Sequence, residues 1–281
     1  MKSTIQHILI PTDFSQNALN ATDYALRFFK SQKITFHFLH INISFKKNSE
    51  EEEYDSVIPC EKNSAKLKVE MEDWMEKVCA FHSNPNHHLK DTILKAPFVE
   101  GIRNYITINK IEFLVMGTKG ASGLKEMTLG SKTGAVITRV KCPILVIPEE
   151  ASFKKPLTIG FPTDFNMRYS HRVVDTLQNI SKVFQSSIKV LRVAQTQKPL
   201  DNFQNGNREV LKERLHDIPH SFHVIENPNL ENALQSFVNT MHIDMVAMIA
   251  KNLNFFQRIL FKPHMGQISY HIQIPFLVLH E

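Results

Sequence analysis

The 281-residue chain holds only 9 glycines, about 3% where globular proteins average roughly 7%. Cysteine is scarce too. Cys60, Cys79 and Cys142 lack CxxC spacing and cannot all pair, which argues against a disulfide scaffold or a cysteine-built zinc site. A reducing cytoplasm is the expected location. No apolar run approaches the roughly 18 residues that span a bilayer. The stretch Ile8-Leu9-Ile10-Pro11 after Met1-Lys2 is too short for the core of a secretory signal, so no membrane role is expected. Familiar enzyme signatures are missing as well: the chain has no GxxxxGK[ST] P-loop, no GxSxG elbow and no HExxH.

The residues present are those of a folded protein. Hydrophobic residues make up 42% and charged residues 22%, values that exclude global disorder. A length of 281 suggests about two domains. The net charge of +5 reads first as solubilising, with attraction of nucleic acid or anionic ligands as the alternative. The lysines are dispersed, however, with no aromatic-interleaved basic stripe, so nucleic acid is not the expected partner. The dense charge run Glu50 to Glu53 is acidic and reads as a solvated loop.

The chain is written twice. Ile8 to Phe14 (ILIPTDF) recurs as Ile159 to Phe165 (IGFPTDF). Ala18, Thr22, Ala25, Leu26 and Phe29 then share one helical face, as do Val173, Leu177, Ile180 and Phe184. Second strands follow at Ile34 to Ile43 and Ile188 to Val193. Late strands match without a gap: Ile111 to Met116 with Ile243 to Met248, and Cys142 to Ile147 with Ile274 to Leu279. Helices precede them, one with Phe98, Ile102, Tyr105 and Ile106, the other with Leu230, Leu234, Phe237 and Met241. The first copy has a further long helix on Leu67, Met71, Trp74, Met75, Val78 and Phe81.

Alternation of strand and helix predicts α/β architecture: two tandem open parallel five-stranded sheets flanked by helices. The expected domains are 1–150 and 151–281, parted where Glu149, Glu150, Lys154 and Lys155 interrupt the apolar pattern. The extra length of the first copy, which includes the acidic run, reads as a surface insertion.

Five of the nine glycines fall between Gly117 and Gly134. From Gly117 the spacing is glycine, two residues, Gly120, nine residues, then Gly130-Ser131. It lies between a predicted strand and a predicted helix. Glycine lets a backbone approach phosphate with no Cβ in the way. A helix start offers unpaired N–H groups and the positive end of the dipole. Ser131 adds a hydroxyl, and Lys119, Lys125 and Lys132 add charge. Gly134 has a counterpart in Gly266 of the second copy, which suggests packing rather than ligand contact.

The G-x2-G-x9-G-S pattern, with Pro11-Thr12-Asp13 after the first strand and the repeated element order, resembles the ATP-binding branch of the universal stress protein family. The resemblance covers both halves, as a tandem protein with a Rossmann-like, adenine nucleotide alpha hydrolase-like fold. It implies that Pro11, Thr12 and Asp13 face the adenosine and that the Ile41 backbone holds the adenine. Met116, Gly117, Lys119 and Gly120 would line ribose and phosphates, with Gly130, Ser131 and Lys132 on the phosphates. It further implies ATP accompanied by Mg²⁺ or Mn²⁺, a pseudo-twofold pairing of the halves through their final strands, and possible further homo-oligomers. Other readings stand beside these. Asp13 or Ser131 is also a good helix cap, and Ile41 a plain core residue.

The second copy departs from the pattern. Ile249, Asn252, Lys262 and Pro263 stand where Gly117, Gly120, Gly130 and Ser131 stand in the first, and proline removes an N–H from the cradle. One nucleotide site per chain is expected. His82, His87 and His88 around an Asn-Pro turn read as a surface loop, with weak zinc binding as the alternative. His37 and His40 belong to opposite faces of one strand. Three functions follow: a non-catalytic ATP-binding module in stress adaptation, a slow ATPase or phosphotransferase, or a scaffold that binds no nucleotide.

Overall fold

The computed structural model describes residues 6–42, 64–118, 130–194, 199–227, 229–250 and 273–281. By packing, the chain divides into two compact units between Cys142 and Pro143. The acidic insertion and the helix expected before the last strand lie outside the described residues, as do Lys119, Gly120 and Lys125.

The first unit contains β1 (His7–Pro11), α1 (Gln16–Phe28), β2 (Ile34–Asn42), α2 (Ser64–Phe81), β3 (His87–Lys95), α3 (Phe98–Ile108), β4 (Phe113–Gly117) and α4 (Ser131–Arg139). Its strands run in the order β3-β2-β1-β4, and their pairings are parallel. Ile8, Leu9 and Ile10 are fully buried, as are Phe113, Leu114 and Val115. Strands covered on both faces have no polar side to display, hence the unbroken apolar runs. β3, at the end of the order, instead carries exposed polar positions along its length.

The second unit contains β5 (Ile144–Ile147), β6 (Thr158–Pro162), α5 (His171–Phe184), β7 (Ser187–Ala194), α6 (Asn202–Arg214), β8 (His220–Glu226), α7 (Leu230–Thr240), β9 (Met245–Ile249) and β10 (Phe276–Leu279). The order is β5-β10-β9-β6-β7-β8. β5 and β10 are antiparallel, with Leu145 opposite Leu277; the other pairings are parallel. β5 is the fifth strand of the first sequence copy, yet it packs with the second unit. For that reason the packing division precedes the break in sequence pattern near Glu149.

The two copies start their first strands alike. Glu112 Oε2 accepts from Gln6 N at 2.6 Å, and Glu112 N donates to His7 O at 3.0 Å. Asp244 Oδ2 accepts from Thr158 N at 3.0 Å, and Asp244 N donates to Thr158 O at 2.9 Å. Each carboxylate closes a backbone end that would otherwise lack a partner.

α1 buries the face its sequence period predicts, and α5 buries Val173, Leu177 and Ile180 of its own, with Phe184 at its end half-buried. On α2, Met71, Trp74 and Val78 are buried, whereas Phe81 in the last turn is 42% exposed. The last turn of α2 leaves Phe81 largely uncovered, so the apolar period outlasts the burial it signals.

Candidate nucleotide site

In a parallel α/β sheet the order of strands reverses between two neighbours, and the crevice beyond their C-terminal ends receives ligands. In the first unit that reversal lies between β1 and β4. Leu9 pairs with Leu114; carried three residues on, the same register would set Thr12 level with Gly117. The sequence-predicted Pro-Thr-Asp and glycine segments therefore leave the sheet side by side.

The turn after β1 is tightly tied. Thr12 is 6% exposed, and its N–H donates to Leu39 O at 2.9 Å. Its hydroxyl oxygen accepts from Phe14 N at 3.0 Å. Phe14 adopts a left-handed backbone, φ 64°, unusual for a side chain of that bulk. Asp13 does not cap α1. That position belongs to Ser15, whose Oγ accepts from Ala18 N at 3.2 Å. The Ser15 hydroxyl donates in turn to Asp13 Oδ1 at 2.5 Å, and Ser15 N reaches the same oxygen at 3.2 Å. Asp13 thus orients the cap and sits half-buried at the sheet edge.

Ile41 pairs with Leu94 near the end of β2 and is 5% exposed. Its side chain is core: Cδ1 lies 3.1 Å from where a Cβ on Gly101 of α3 would stand. What it offers at the edge is backbone. Met116 is 6% exposed, and Gly117 ends β4.

Two bonds close the loop that leaves β4. Thr133 Oγ1 donates to Gly117 O at 2.9 Å, and Gly130 N donates to Thr118 O at 2.6 Å. Gly130 is the N-cap of α4, with φ −57° and ψ 144° and no side-chain cap bond. Ser131 is therefore the first helical residue and not the cap. The cap residue itself brings no side chain to the donors of the first turn, which suits an anion-binding helix start. Lys132 is exposed, and its ammonium lies 5.2 Å from the centre of the Phe98 ring, a cation–π distance.

His40 was not among the sequence-predicted site residues. Its Nδ1 lies 3.0 Å from Thr12 O. A carbonyl only accepts, so Nδ1 carries the proton and Nε2 the lone pair. The ring stacks on Phe14, centroids 4.4 Å apart at 11°. Burial lowers the His40 pKa and the Lys132 charge acts the same way, while the Thr12 bond, Asp13 and Glu70 oppose them. His40 thus feels charges from α1's approach, α2 and α4. Only its period in β2 was legible beforehand, because nothing in sequence announces a left-handed phenylalanine beside it.

His37, on the opposite face, joins a separate buried chain. His7 Nδ1 lies 3.1 Å from His37 Nε2, His37 Nδ1 lies 3.0 Å from the Tyr105 hydroxyl, and that hydroxyl lies 3.1 Å from Thr92 Oγ1. His87 opens β3 and contacts Phe29 O at 3.1 Å and His82 at 2.9 Å. Among the described residues no three His, Cys, Asp or Glu side chains gather as a metal site.

The second copy repeats the turn and alters its setting. Thr163 N donates to Leu191 O at 2.8 Å, and Phe165 has φ 60°. The Tyr169 hydroxyl packs 2.7 Å from Thr163 Oγ1. Gln204 Nε2 donates to Asp164 O at 2.9 Å, and Asn207 Nδ2 to Phe165 O at 2.8 Å. Ile249, at the place of Gly117, is 4% exposed. Asn252, Lys262 and Pro263 lie outside the described residues.

These features define a Rossmann-like α/β protein of the adenine nucleotide alpha hydrolase-like kind. A universal stress protein from Archaeoglobus fulgidus has a similar structure at a TM-score of 0.66 and 14% identity, covering 98% of this chain and 96% of that one. The universal stress protein family model matches residues 4–148, just over half of the sequence, and the chain belongs to that family. Two universal stress proteins of Methanocaldococcus jannaschii are each 27% identical to it. One match runs over 142 residues, 50% of this chain and 80% of the relative. The other runs over 167 residues, 54% of this chain and all of the relative. No helix among the described residues is long and apolar enough to cross a membrane.

Proposed function

We propose that the chain is an ATP-binding regulator in stress adaptation, with one nucleotide site, in its first copy. The observation that carries this reading is the convergence at the β1/β4 edge. Asp13, the Ile41 backbone, Gly117 and the α4 start belong to it, and the α4 cap residue Gly130 brings no side chain to compete for the N–H donors. Gly130, Ser131 and Lys132 would take the phosphates, joined by Lys119 and Gly120 from the adjoining loop. Thr12, Asp13 and the Ile41 backbone would take the nucleoside. A divalent ion carried by the triphosphate belongs to this reading; no residue is assigned to it.

Among the described residues of the edge, no side chain is assigned the part of a general base for hydrolysis. The Asp13 carboxylate is engaged by Ser15 at 2.5 Å, which orients it as an acceptor. In this reading the module works by binding: ATP shifts the population of a partner-competent state. The two copies act as an internal pseudo-dimer in the cytoplasm. The antiparallel pairing of β5 with β10 supports this, since it joins the last strand of one copy to the last of the other.

The test is to denature freshly purified protein, analyse released nucleotide, and titrate the nucleotide-free protein with ATP. Co-purifying ATP with saturable binding is expected. Accumulation of ADP would favour a slow ATPase, and absence of both nucleotide and binding a scaffold.

A further inference from the structure

The Pro-Thr-Asp-Phe turn is built twice with the same strained residue but held by different groups. Phe14 and Phe165 both take φ near +60°, where a side chain other than glycine or asparagine is disfavoured. Something must hold each in place. In the second copy α6 does so, through Asn207 on the Phe165 carbonyl and Gln204 on the Asp164 carbonyl. Phe165 itself is 3% exposed, its ring 6.3 Å from that of Phe222.

In the first copy the hold comes from β2. Leu39 and Leu191 occupy matching register positions opposite Pro11 and Pro162. His40 and Arg192 follow them, so the histidine belongs to the first copy alone. His40 Nδ1–H donates to Thr12 O at 3.0 Å, while its ring covers Phe14. One side chain therefore grips the turn on both sides of Asp13. From the Phe14 N–H, bonded to Thr12 Oγ1, the chain passes to Ser15, which binds Asp13 Oδ1.

We propose that His40 is a positioning residue of the first-copy edge, clamping the left-handed turn so that Asp13 is held in the orientation a nucleotide meets. This rests on the nucleotide site proposed above. The grip depends on the donor at Nδ1; Nε2 serves no described bond. Asn places its amide nitrogen where His carries Nδ1, and Gln where His carries Nε2. His40→Asn keeps the donor and His40→Gln displaces it.

The experiment uses the full chain and compares wild type, His40→Asn and His40→Gln by ATP titration and by amide hydrogen exchange at Phe14 and Ser15. His40→Asn is expected to stay within about threefold of wild type in Kd, and His40→Gln to weaken binding about tenfold, as loss of one net hydrogen bond implies. Exchange at the two amides accelerates in His40→Gln and not in His40→Asn, with melting temperatures alike. Equal effects of the two variants, or wild-type behaviour in His40→Gln, would overturn the proposal. If wild type binds no ATP, the nucleotide reading fails; the exchange comparison then decides the clamp independently.

Discussion

Two glycines outside the loop cluster are there for contact and not for conformation. A Cβ on Gly101 would stand 3.1 Å from both Ala96 Cβ and Ile41 Cδ1, and one on Gly160 would stand 3.1 Å from Ile243 and 3.2 Å from Phe237. Gly101→Val should cost about 1–3 kcal/mol, the usual range for overpacking, seen as a lower urea midpoint at unchanged slope. Buried histidine makes stability acid-sensitive. Burial, then the charges of His7, Lys90 and His88, lowers the His37 pKa from 6.5 to about 4. The unfolded chain thus binds this proton first, so stability is full above about pH 6.5 and falls as pH drops toward 4. His40, His82, His87 and His223 are shifted in the same direction. Urea midpoints measured from pH 7.5 to pH 4.5 should fall steadily, and His37→Gln should flatten part of that slope. A midpoint independent of pH would contradict the buried neutral imidazole.

At the scale of elements, much was legible because periodicity follows burial. The faces of α1 and α5 and the apolar runs of β1 and β4 came directly from it. Caps were harder. Asp13 and Ser15 are both favoured cap residues, and the choice turns on Phe14, whose left-handed backbone has no signature in a phenylalanine. Likewise Gly130, not Ser131, occupies the α4 cap. β5 read as a strand, and its pairing with β10, over a hundred residues away, was expected from the family resemblance alone. No local pattern in the residues announces such a long-range partner. The Gly130 geometry also makes a clean probe. Its φ of −57° and ψ of 144° are open to any L-residue, so Gly130→Val keeps the start of α4 without backbone strain. Circular dichroism and melting should be near wild type, while ATP binding is lost. Retained binding would show that this cradle was misassigned.

On the scale of the whole chain, the Pro-Thr-Asp-Phe turn occurs twice and in unequal surroundings. Both copies keep the Thr-Asp-Phe turn, its left-handed phenylalanine and the carboxylate that starts the first strand. Only the first keeps Gly117 and Gly130. The second has buried Ile249 at the former place, and Tyr169, Gln204 and Asn207 occupy the surroundings of its turn. Glycine is thus placed asymmetrically, with Ile249 and Lys262 in the second half aligned to Gly117 and Gly130. That asymmetry sets the central expectation of the proposed function, one nucleotide per chain. The direct measurement is the stoichiometry of ATP binding by calorimetry on nucleotide-free protein, beside Gly130→Val and Asp164→Ala. The account predicts one ATP per chain, abolished by Gly130→Val and unchanged by Asp164→Ala. Two ATP per chain, or binding that survives Gly130→Val and disappears with Asp164→Ala, would contradict it.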